Sequence, residues 1–109
     1  MTRTEKNRAA VKDLLSATEQ FIRSHRWIKR DYNDAHGGYC LQGALMETSR
    51  DYAPSTLHNT TKCLLNILKR NYKKAGNPNF PEFLEEYNDM PSTRKKDILL
   101  LLRQGIRES

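Results

Sequence analysis

The chain has two cysteines, Cys40 and Cys63, and each follows a histidine at close range, as His36-x3-Cys40 and His58-x4-Cys63. Two imidazoles and two thiolates make the donor set of a tetrahedral zinc site, and helical spacing would put each pair on one face. The Cys-x2-Cys knuckle of structural zinc sites is missing, so no metal is expected at His36, Cys40, His58 and Cys63. Cys40 beside His36 is also the pairing of a thiol nucleophile with a base, suited to hydrolysis or acyl transfer. Spacing supplies no convincing base partner, and cysteine more often serves as a small apolar side chain in a core. Packing is therefore the expectation for Cys40, and no catalytic residue and no cofactor is assigned.

Asn88-Asp89, shortly before Pro91, is a second candidate. Such a pair either offers donors and acceptors to a ligand or folds back onto nearby amides to cap the next helix. Capping is the expected role. Trp27 is expected to fill the gap where the second and fifth helices meet.

Charge gives the third candidate. Net charge is +6, from 19 Lys and Arg against 13 Asp and Glu, and the signs are segregated. Residues 62–74 carry Lys62, Lys69, Arg70, Lys73 and Lys74 with no acid, whereas residues 82–89 carry Glu82, Glu85, Glu86 and Asp89 with no base. With Arg23, Arg26, Lys29 and Arg30, the first group predicts a basic, partner-binding face that could meet phosphates or an acidic protein. The acidic run could instead neutralise the third helix, within the chain or across a dimer. No helix-turn-helix glycine turn, RNA-binding aromatic motif or zinc finger accompanies the cations.

Helices must position these residues. Val11, Leu14, Leu15, Thr18, Phe21 and Ile22 recur at intervals of three and four, which predicts a helix over about residues 5–25 with Thr4 as N-cap. Asn33-Asp34-Ala35-His36-Gly37-Gly38 is a cluster of turn formers, with room for only a short irregular ribbon. A second helix begins near Tyr39 or Cys40, buries Leu41, Ala44 and Leu45, and ends before Pro54. Gly43 inside it costs about 1 kcal/mol relative to alanine, so a close approach of another backbone beside Gly43 and Ala44 is expected. The third helix follows Ser55 as N-cap, carries Leu57, Thr61, Leu64, Leu65, Ile67, Leu68 and Tyr72, and closes at Gly76. A short fourth helix starts at Pro81 with Phe80, Phe83, Leu84 and Tyr87 inward, and is broken by residues 88–91. Ser92 or Thr93 caps a fifth, striped with Ile98, Leu99, Leu101, Leu102 and Ile106.

Taken in order, Trp27-Ile28 with Tyr32, Cys40-Leu41-Gln42-Gly43-Ala44-Leu45, Tyr87-Asn88-Asp89, and Ser92-Thr93 ahead of Ile98-Leu99-Leu101-Leu102-Arg103 resemble a family of small, functionally uncharacterised proteins of bacteria and their phages. The resemblance spans roughly residues 20–107. The chain departs from the family pattern with Tyr87 in place of a usual Trp and with a shorter Gly37-Gly38 loop. The resemblance implies a fold rather than an activity, and it implies that Cys40, Gly43, Asn88 and Asp89 form one connected feature.

Together these readings predict an all-α fold: a single domain over residues 1–109, a compact bundle of about five helices with an irregular Gly-rich loop after the first. Apolar residues at 37% and charged residues at 29% suit one core and fit no disordered class. Free thiols, charges throughout the first thirty residues and no long apolar run predict a cytoplasmic protein without a membrane partner. The functional expectation is a non-enzymatic helical interaction module, a phage or bacterial accessory factor that binds a protein. The alternatives are a nucleic-acid-binding protein using the basic face and a small cysteine-dependent enzyme. Oligomeric state is left open.

Overall fold

The computed structural model describes residues 2–109. The elements are α1 (Arg3–Ser24), β1 (Arg26–Trp27), β2 (Gly38–Tyr39), α2 (Leu41–Thr48), a 3-10 turn (Ser49–Asp51), α3 (Pro54–Lys74), α4 (Leu84–Asp89) and α5 (Lys95–Glu108). The fold is the expected helical bundle of five helices. The ribbon after α1 is a parallel pair in which Arg26 aligns with Gly38 and Trp27 with Tyr39.

α1 lies centrally, packed on α2, α3 and α5. Its buried stripe of Val11, Leu14, Leu15, Thr18 and Ile22 follows the period of the helix. Leu41 and Leu45 of α2, Leu64 and Leu68 of α3, Leu84 of α4, and Ile98 and Leu102 of α5 meet that stripe in one hydrophobic core. The molecule measures 42 × 38 × 19 Å, so it is a slab about two helix diameters thick. Gly105 of α5 thins one contact, since a Cβ there would stand 3.1 Å from Leu15 Cδ1 and 3.3 Å from Leu64 Cδ2.

Several helix ends differ from the sequence reading. α1 starts earlier, because Thr2 rather than Thr4 accepts the N–H of Glu5. α3 begins at Pro54, with Ala53 as N-cap in place of Ser55; proline at N1 has the helical φ and gives up only an N–H that would lack a partner. α4 starts at Leu84 instead of Pro81, since Phe83 is extended (φ −131°) and Pro81 is buried in non-helical chain. Phe80 and Phe83, expected inward, are consequently exposed, whereas Leu84 is buried and Tyr87 packs partly against the core. Asn88 and Asp89 are not a break but the last turn of α4. α5 has Arg94, not Ser92 or Thr93, at its N-cap, and Asp97 Oδ2 accepts the Arg94 N–H at 2.8 Å.

The backbone that approaches Gly43 is the loop between β1 and β2. A Cβ at Gly43 would lie 1.9 Å from the Tyr32 carbonyl oxygen, and the Cys40 N–H donates to that same oxygen at 3.2 Å. Glycine is the one residue that lets the loop sit on the first turn of α2. Gly43→Ala should therefore prise the loop from α2 and lower stability by about 3 kcal/mol, read as a fall in Tm of roughly 10 °C or more. Ala44→Gly, one residue on, should cost only about 1 kcal/mol plus its lost methyl burial. Equal Tm values for Gly43→Ala and the natural chain would contradict the close approach.

Candidate functional site

The loop over residues 28–38 is built around a carboxylate. Asp34 Oδ1 accepts the N–H groups of His36 at 2.9 Å and Gly38 at 2.8 Å, and Oδ2 pairs with the Arg26 guanidinium. These two N–H bonds, with the neighbouring Arg26 charge, hold the Asp34 carboxyl below its ordinary range. Gly37, at φ 76°, makes the turn, and Gly38 must lack a side chain because Ile28 Cγ2 would be 2.6 Å from its Cβ.

A second amide clamps the loop to α4. Asn88 is fully buried. Its Oδ1 accepts the Trp27 indole N–H at 2.7 Å and the Leu41 N–H at 3.0 Å. Its Nδ2 donates at 3.0 Å to the Ile28 carbonyl and to Asp89 Oδ1. Every donor and acceptor of the carboxamide is thus used. Asp89 Oδ1 also accepts the Arg30 N–H at 2.9 Å, and Arg30 adopts φ 76°, a left-handed conformation that a side chain disfavours. The expected capping of the fifth helix is not made: Asn88 and Asp89 reach back about sixty residues instead. Trp27 is anchored to α4 through Asn88 and packs partly against the core, with the Lys29 ammonium 5.5 Å from its ring.

Between loop and helix opens a hollow of about 390 Å³, lined by Arg30, Asp31, Tyr32, Cys40, Glu85 and Asp89. The Tyr32 hydroxyl donates to Glu85 across it at 3.3 Å, and the carboxylate charge pushes the phenol's titration up. Cys40 lies beneath as the N-cap of α2, its Sγ accepting the Gly43 N–H at 3.3 Å. Burial pushes its thiol up more than the Gly43 and Gln42 amides pull it down, and Asp89 and Glu85 add to the rise. Cys40, Gly43, Asn88 and Asp89 therefore lie in one bonded neighbourhood. His36 is exposed on the loop and does not line this hollow, and Cys63 lines a different one with Asn59 and Glu108. Among the described residues no three His, Cys, Asp or Glu side chains gather as a metal-binding group.

Several of the basic residues are engaged within the chain. Arg23 pairs with Glu19, Arg26 with Asp34, and Arg70 with Glu108. Lys29 donates to the Met90 carbonyl at 2.6 Å. Lys62 shares a hollow with Arg70 and Glu108, whereas Lys69 and Lys73 line another with Phe80; Lys74 is exposed near the end of α3. Among the described residues no ion pair joins α3 to α4. Residue types and spacing gave no sign of the Tyr32–Glu85 contact. The Asp34 turn did have a signal, an Asp four residues before a Gly-Gly end.

A family model described as a family of unknown function (DUF6197) matches residues 6–108. No curated protein and no solved structure matches the chain.

Asn88→Ala should leave the indole of Trp27, the Leu41 N–H and the Ile28 carbonyl without partners and cost roughly 3–5 kcal/mol. Trp27→Phe should cost less in that background than alone, because the orphaned indole donor is gone. Additive costs in a denaturant-based double-mutant cycle would deny the pairing. Asp34 and Glu108 both titrate below their ordinary range in the folded chain, Glu108 through Arg70 and Gln104. Their stabilisation is present above the unfolded carboxyl range and is lost as pH falls through the folded one. Glu108 is exposed and Asp34 half-buried beside solvent, so screening keeps the effect small. Asp34→Asn, which keeps the acceptor of the turn, should show a shallower fall in Tm on acidification than the natural chain, and parallel curves would refute this.

Proposed function

The chain belongs to the family of unknown function DUF6197, and on that premise we propose that it is a non-enzymatic protein-interaction module, an accessory factor of a bacterium or phage. It binds its protein partner through the surface around α4. The observation that carries this reading is the exposure of three aromatics around that helix. Tyr32 is 47% exposed, Phe80 37% and Phe83 59%. Aromatics held in water beside charged residues are the composition of a binding hot spot. Phe83 even occupies the N-cap of α4, where it makes no side-chain cap, although a serine there would stabilise the helix by about 1 kcal/mol. A local rule broken at an exposed aromatic favours a use for that aromatic outside the fold.

The other readings have less support. A thiol enzyme needs a thiolate, and burial and two nearby carboxylates push Cys40 the other way. Nucleic-acid binding wants a continuous run of free cations, and Arg23, Arg26 and Arg70 are engaged by acids.

Tagged protein incubated with lysate of the encoding organism should retain a protein partner equally with and without nuclease. Phe83→Asp combined with Tyr32→Ala should abolish retention while the helical circular dichroism spectrum stays. In parallel, oligonucleotide binding at about 150 mM salt should be no tighter than roughly 10⁻⁴ to 10⁻⁶ M, the ordinary non-specific range. Submicromolar oligonucleotide binding that vanishes when Lys69, Arg70, Lys73 and Lys74 become Glu would overturn the proposal in favour of nucleic acid.

A further inference from the structure

We infer that the Phe80 end of this surface is self-complementary and that a second copy of the same chain occupies it, across a two-fold axis beside Phe80. The inference rests on the reading that the α4 surface binds protein, and it names one partner for that surface. Two hollows meet at Phe80. One, of about 430 Å³, has Lys69 and Lys73 as its charged residues; the other, of about 590 Å³, has Glu82, Glu86 and Asp89. Phe80 lines both, flanked by Pro78 on the basic side and Pro81 on the acidic side. The Lys69 ammonium lies 5.2 Å from the Phe80 ring.

These charges are without ion-pair partners among the described residues. Among the described residues the acids that pair with cations are Glu19, Asp34, Glu47 and Glu108, and neither Lys69 and Lys73 nor Glu82 and Glu86 takes part in an ion pair. All four are exposed. A two-fold rotation about an axis at Phe80 carries the basic flank of one copy over the acidic flank of the other, twice over, and brings the two phenyl rings and their prolines to the middle. Opposite charges around an apolar centre are what a closed, isologous contact requires. A surface of one sign would repel its own copy, as the net charge of +6 otherwise does. The patch is small, so the dimer is transient and forms at high chain concentration.

Sedimentation of the full chain tests this. Over about 5 to 500 µM, the range in which a small transient interface dissociates, the mean mass should climb toward twice that of one chain. Glu82→Lys with Glu86→Lys, and separately Lys69→Glu with Lys73→Glu, should each weaken association at least tenfold, because each sets like charges against each other in both halves of the contact. Mixing the two variants should restore the dimer, since both halves are then again opposite in sign, and so should all four substitutions in one chain. All four positions are exposed, and circular dichroism checks that each variant is folded. A natural chain that stays monomeric at the top concentration, or variants that are not rescued on mixing, would overturn the self-association. That failure is separable from a failure of the interaction-module reading, which falls if the natural chain captures no protein, if capture survives Phe83→Asp with Tyr32→Ala, or if oligonucleotides bind at submicromolar level.

Discussion

One buried carboxamide holds the ends of this molecule's middle together. Asn88 bonds an indole from the ribbon, the first free N–H of α2, a carbonyl of the loop and the carboxylate of its own neighbour. A buried amide with all its bonds made is stabilising, and one left half-satisfied costs more than an apolar residue in the same place. The consequence is all-or-none geometry. α4, with six residues, is too short to persist on its own, and it keeps its place because Leu84 enters the core and Asn88 fastens the loop at its far end. The loop is fastened in turn at Asp34, which folds its own turn, and at Gly43, where the Tyr32 carbonyl rests against bare backbone.

On the proposed reading, this clamping serves the binding surface. Tyr32 projects from the loop that Asn88 and Gly43 fix, and Phe83 projects from the start of the helix whose end Asn88 fixes. An exposed aromatic on a mobile loop would lose conformational entropy on binding, whereas one on a clamped frame has already lost it. Asp89 joins the two roles. One oxygen completes the Asn88 network and receives the Arg30 N–H, while the residue itself borders both the Cys40 hollow and the acidic hollow beside Phe80.

The helices were legible in the sequence because burial imposes a period, and the period survives in α1, α3 and α5. Even there the buried face of α3 includes Thr56 and Thr60, which no apolar count finds; the Thr60 hydroxyl satisfies itself on the Thr56 carbonyl at 2.7 Å, which lets it behave as an apolar residue outwardly. Gly43 was legible as a close approach, since an interior glycine is unfavourable unless something needs the space, but nothing local says which backbone comes near. The clamp was not legible. Asn88 and Asp89 have local roles open to them in any turn, and local arguments favour those roles. Their actual partners at Trp27, Ile28 and Arg30 are some sixty residues away, so pairing depends on how α4 lies across the loop, which only the assembled core decides.

Cys40 shows the same limit from the other side. A thiol at the start of a helix is in the place where the helix N-terminus lowers its pKa. The geometry does supply that help, through the Gly43 and Gln42 amides, yet desolvation outweighs it and two carboxylates from α4 oppose it. The sulfur is used as a cap acceptor, where a weak acceptor suffices because the Leu41 N–H beside it is already taken by Asn88. Cysteine therefore fits a position that is half cap and half core.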